Sequence, residues 1–175
     1  MRHNNATTPP PALVVGPEVA AAKRSCTAPP ALLLACGNSL REDDGVGLRI
    51  AEAAEEMFPA SRLRVVAAQQ FTPEMAAEIA ETDLVVFVDA CRGDEPGAIR
   101  VFPVTAGEER AETHRLDPPG LLAMAQAFCG HTPTHAFALT IGAGRFGYGE
   151  AMAGRVRQAV PRAMRLVGNL VTAFA

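Results

Sequence analysis

The sequence predicts an α/β protein: a three-layer α/β/α sandwich on a mostly parallel, twisted sheet of about five strands. Three observations lead there. Short apolar runs such as Ala31–Cys36 and Leu84–Val88 read as strands buried on both faces, as parallel strands are. Helical stretches separate most of the runs, as crossover connections require. One run, Gly97–Val104, follows its predecessor too closely for a helix to intervene, so one strand should be reversed.

Taken in order, Ala31–Cys36 is the first strand, closed by Gly37-Asn38. Asp43 or Asp44 opens a helical stretch, GVGLRIAEAAEEMF, that Pro59 ends. Leu63–Ala68 is the second strand. Thr72 as N-cap and Pro73 at the first helical position predict a helix reaching about Thr82. Leu84–Asp89, continuous, β-branched and aromatic, is the strongest strand. Gly97–Val104 is the antiparallel one. Pro118 and Pro119 begin a helix to about Phe128, Ala136–Ile141 is the last strand, and Glu150–Val171 is a long amphipathic helix that Pro161 should disturb. Residues 1–30, rich in Pro, Ala and Thr, form a poorly ordered extension, so the domain runs over 31–175.

Composition narrows the function classes. With 175 residues, 49% of them hydrophobic, the chain suits one domain with a substantial core. No apolar run is long enough for a membrane span, and the first thirty residues lack the apolar centre of a secretory signal. A net charge of −3 with mixed signs argues against a nucleic-acid binder. Cys26, Cys36, Cys91 and Cys129 contain no CxxC pair and read as small buried hydrophobes in a reducing cytosol. Fifteen of the sixteen basic residues are Arg, which we read as genome bias.

Ligands of such sheets bind beyond the carboxyl ends of the parallel strands. Three features should meet there: the loop CGNSLREDDGVG after the first strand, Asp89 at the end of the apolar strand, and His114 before the Pro118 helix. The loop is no phosphate cradle, because Glu42, Asp43 and Asp44 crowd the helix N-terminus that would receive the anion. Neither GxGxxG nor GxxxxGK[ST] is present. Acids at a strand end suit a cation. Local alternatives remain: Asp43 as a helix N-cap, Glu42 as a solvated acid, Asp89 as a polar strand stop, His114 as a bystander. An Asp/Asp/His set supplies three ligands and leaves positions open, which suits a borderline divalent ion such as nickel or zinc. HExxH and GxSxG are absent. His131 and His135 read as structural or solvated, and His3 lies in the extension.

Gly37-Asn38-Ser39-Leu40-Arg41-Glu42-Asp43-Asp44-Gly45-Val46-Gly47 resembles the signature GN-x-L-x-x-D-[DE]-G-x-G of the nickel–iron hydrogenase maturation endopeptidases. Gln70–Glu74, Leu84–Ala90, Thr113-His114 with Leu121-Leu122, and Gly142–Glu150 fall in the family's order, so the resemblance covers roughly residues 31–172. It implies a five-stranded, phosphorylase/hydrolase-like α/β/α fold, with Asp44, Asp89 and His114 as metal ligands. The family often has Glu at the first of these; Asp44 is one methylene shorter. Gly37, Asn38, Gly45 and Gly47 would shape the loop. The implied activity is that of a cytoplasmic, monomeric, aspartic-type endopeptidase. It would remove the C-terminal extension of a hydrogenase large-subunit precursor after nickel insertion and so activate the hydrogenase. Nickel would come with the substrate, and zinc or cadmium could stand in for it. Hydrolysis would use a metal-bound water assisted by Asp44 or Asp89, or a carboxylate unaided. Two other readings remain: a non-proteolytic metal-binding hydrogenase-assembly protein, and an unrelated small-ligand α/β domain.

Overall fold

The computed structural model describes residues 30–107 and 116–175. The expectations for the N-terminal extension and for His114 lie outside these residues.

Five strands form one sheet in the order β2-β1-β3-β5-β4. They are β1 (Ala31–Cys36), β2 (Leu63–Ala68), β3 (Leu84–Arg92), β4 (Ile99–Pro103) and β5 (His135–Ala143). All neighbours pair in parallel except β4, which runs antiparallel to β5 at the edge. The reversed strand is thus where the short connection required it, and its antiparallel partner is the last strand, β5.

Every residue of β1 is buried, because both faces of the sheet are covered. Leu33, Val86, Leu139 and Ile141 pack toward α1 (Val46–Met57) and α4 (Gly154–Phe174). Leu32, Leu34, Val85 and Phe87 pack toward α2 (Met75–Ala80) and α3 (Pro118–Met124). The strand period of two divides one run of residues between two cores. On α4, Val156, Ala159, Ala163, Val167 and Val171 recur at helical spacing and are buried, while Pro161 sits inside the helix on its exposed side. Among the described residues, no helix is long and apolar enough to cross a membrane.

Several boundaries differ from expectation, β4 and β5 by one or two residues at each end. Thr72 does not cap α2, which begins at Met75 with Glu74 in the cap position. The Thr72 side chain instead hydrogen-bonds the Glu74 carboxylate. That bond, after the one from Glu74's own backbone, holds this carboxyl below its ordinary range. β3 continues three residues past Asp89, paired with β5 as far as Arg92. α4 starts at Gly154 rather than Glu150, because Ala153 is held extended with its amide on the Asp43 carboxylate, 2.7 Å away. After Met124, α3 widens into a π turn, Ala125–Cys129, closed by Gly130 in the left-handed conformation.

Candidate active site

β1 and β3 are neighbours, and their last register pair is Ala35 with Val88. One step further β3 reaches Asp89 and β1 its last residue, Cys36, after which the loop begins at Gly37. The adjacency of two parallel strands therefore delivers the loop and Asp89 to the same carboxyl edge, and the 3-10 turn Glu42–Gly45 packs against β3. On its other side Asp89 is in register with Thr140 of β5. Asp89 is half-buried, and its Oδ1 accepts the Ala90 N–H at 2.8 Å.

The loop is closed by contact rather than by flexibility. A Cβ on Gly47 would lie 2.0 Å from the Cys36 carbonyl oxygen, and one on Gly37 would lie 2.1 Å from that of Asp44. Neither position has room for a side chain, so helix α1 sits directly against the end of β1. Gly45 has room only for a tight fit, 3.1 Å from the Ser39 Cα. Asn38 accepts the Leu40 N–H on Oδ1 at 2.9 Å, an Asx turn that reverses the chain.

The three acids of the turn do different work. Asp43 is completely buried. Its Oδ2 accepts the N–H groups of Gly144 and Arg145, and its Oδ1 accepts that of Ala153. It is not the N-cap of α1: that position is Gly45, without a side-chain cap. Glu42 is not solvated either. It pairs with Arg145 and accepts the Gly147 N–H at 2.9 Å, while its own N–H reaches the Gly149 carbonyl at 2.7 Å. These bonds hold Glu42 at a φ of 52°, a conformation that costs a non-glycine residue roughly 1–2 kcal/mol. Asp44 remains: it is half-buried, and its carboxylate accepts no hydrogen bond among the described residues.

Gly144–Glu150, to which the sequence assigned no role, is thus the clamp that consumes two of the three acids. Arg41 completes it, bridging to Gly149 and donating to the Phe146 carbonyl. The signal lay in the turn itself: three consecutive acids exceed what one helix start uses.

Cys91 lies just past Asp89, half-buried rather than buried. Burial and then the nearby Asp94 carboxylate push its thiol above the ordinary range, which disfavours the thiolate a cysteine nucleophile needs. His135 opens β5 at the opposite edge of the sheet, its ring 4.4 Å from that of Phe174. Among the described residues no group of three His, Cys, Asp or Glu side chains could hold a metal. Asp44 and Asp89 are the two expected ligands that the structure places.

No protein-family model matches the chain, and no curated protein does. Solved structures do. The hydrogenase maturating endopeptidase HybD from E. coli superposes with a TM-score of 0.68 at 21% identity, covering 82% of this chain and 93% of that one. The [NiFe] hydrogenase maturation protease HycI from Thermococcus kodakarensis gives 0.65 at 24%, covering 85% and 95%. A hydrogenase 2 maturation peptidase from a Thaumarchaeota archaeon gives 0.61 at 20%, covering 81% and 97%. The chain has their fold. Nearly the whole length of each falls within the match, and the fold class expected from the sequence holds.

Proposed function

We propose that this chain is a hydrogenase maturation endopeptidase, which removes a C-terminal extension from the nickel-loaded large-subunit precursor of a nickel–iron hydrogenase. The observation that carries this reading is the division of labour in the turn. Asp43 and Glu42 lock the backbone, and Asp44 is left without a hydrogen bond among the described residues, at the strand edge that Asp89 also occupies. A carboxylate on a rigidly held backbone with no hydrogen bond among the described residues has lone pairs for a cation or a water. The endopeptidase and protease names of the similar structures support the same activity.

In this reading nickel arrives with the precursor, and Asp44, Asp89 and His114 complete its coordination. Carboxylate and imidazole donors suit such an ion. Binding then depends on the ion's presence, so cleavage waits for insertion. Hydrolysis consumes one water. Its oxygen bonds to the scissile carbonyl carbon, the C–N bond breaks, and its two hydrogens end on the new amine and acid. Asp44 is suited to take the first proton from that water and return it to the leaving amine. Asp89, oriented by the Ala90 N–H, positions the reacting chain.

The test is incubation of the purified protein with nickel-loaded and nickel-free precursor. Shortening of the loaded form alone, abolished by Asp44→Asn, Asp89→Asn or His114→Ala, is the expected result. Loaded precursor that is bound but left intact would make the chain a metal-binding assembly protein instead, and normal processing by one variant would remove that residue from the site.

A further inference from the structure

Beside Asp89 the sheet has a gap in its side-chain layer. Along one row across β3, β5 and β4 stand Phe87, Ala138 and Phe102, each in register with the next. The following row holds Asp89 and Thr140. The small Ala138 between two phenylalanines leaves a hollow of about 390 Å³, walled by Phe71, Val104, Pro118 and Pro119, with Asp89 at its margin. That volume is within the range of ligand-binding pockets. Phe71 meets Phe87 edge to face at 5.6 Å, so the floor is a packed surface. Phe102, 45% exposed on the outer strand, puts the rim at the surface.

Among the described residues the charges of the lining are all of one sign: Asp89 and Asp117, with no lysine or arginine. Asp117 is engaged in accepting the Gly120 N–H at the start of α3. An acidic occupant is therefore disfavoured, and an apolar one gains the burial that Ala138 forgoes. A larger hollow of about 660 Å³ lies between α1 and α4, but Arg49, Glu52, Glu56 and Arg157 line it, and Asp89 does not.

Resting on the endopeptidase reading, we infer that this hollow is a specificity subsite. It receives a large aliphatic or aromatic side chain of the precursor within two residues of the scissile bond. Asp89 is both a wall of the hollow and a member of the candidate site, so a side chain seated there holds the adjoining peptide bond beside the carboxylates. The anchor converts apolar burial into positioning of the reacting bond.

The experiment measures kcat/KM on the nickel-loaded precursor for the unmodified enzyme, Ala138→Leu and Phe102→Asp, with thermal unfolding as the check on folding. Ala138→Leu fills the hollow and Phe102→Asp charges its exposed rim. Each should lower kcat/KM roughly 10- to 100-fold. A precursor with a smaller apolar residue at the anchoring position should be cut better by Ala138→Leu than the original precursor is. A precursor with Asp at that position should be a poor substrate for the unmodified enzyme. If Ala138→Leu does not fold, Phe102→Asp decides alone, since its position is already exposed. Cleavage by the unmodified enzyme with undiminished kcat/KM in the folded variants overturns the subsite and leaves the endopeptidase intact. An unmodified enzyme that cuts no loaded precursor overturns the endopeptidase reading, and the subsite with it.

Discussion

Removal of the Asp43 carboxylate should separate the structural acid of the turn from the chemical one. Asp43 accepts three backbone N–H groups while fully buried. Hydrogen bonds to a charged acceptor contribute about 1.5–3 kcal/mol each, so the three together represent about 4–9 kcal/mol. Removing the carboxylate also relieves the desolvation of a buried charge, which returns a few kcal/mol. Asp43→Ala should therefore cost about 3–5 kcal/mol. For a chain of this length that is a fall in Tm on the order of 10 °C. Asp43→Asn should cost less. Its one oxygen can still serve Gly144 and Arg145, but its amide then faces the Ala153 N–H, donor against donor. Asp44→Asn breaks no hydrogen bond among the described residues and should shift Tm by no more than a few degrees. Differential scanning calorimetry on the three variants reads the series directly. A Tm for Asp43→Ala within about 3 °C of the unmodified protein would refute the assignment of Asp43 as the clamp, as would Asp44→Asn destabilising more than Asp43→Asn.

The loop glycines make a second set: Gly47→Ala and Gly37→Ala drive a methyl into a backbone carbonyl and should each cost several kcal/mol, measurable by urea unfolding. Gly154→Ala, with open space around its Cβ at the start of α4, should be neutral or stabilising by up to about 1 kcal/mol. Glu74 gives a pH prediction. Its carboxyl is held below the ordinary range, so the stability it contributes is present above that range and is lost as pH falls through its lowered value. An NMR titration should show the Glu74 carboxyl moving back up toward its ordinary value in Thr72→Ala, and no movement would exclude the Thr72 hydrogen bond as a cause.

The sheet was legible in the sequence because its cause is local. Ala31–Cys36 and Leu63–Ala68 match their observed bounds; the first is buried throughout and closed by Gly37, since a strand covered on both faces must be continuously apolar. The reversed strand was legible for a covalent reason: the chain between β3 and β4 is too short to cross over. The helix starts were less so. Thr72 can bond a cap amide or a neighbouring carboxylate, and the sequence does not rank the two. The acidic turn and Asp89 were nameable because parallel strands place their carboxyl ends together whatever the rest of the fold does, while the choice of Asp44 within the turn came from the family resemblance.

What tertiary structure decided is which acid of Glu42-Asp43-Asp44 does what. All three are alike in local sequence. The partners that distinguish them, Gly144, Arg145, Gly147 and Ala153, come from the β5–α4 connection more than a hundred residues away. The hollow at Ala138 has the same origin, since a small residue is a gap only when its neighbours across the sheet are Phe87 and Phe102. Burial and register are properties of the assembled layers. The residues of a candidate site could therefore be listed from the sequence, while the division between those that hold the loop and the one with no hydrogen bond among the described residues needed the packed fold.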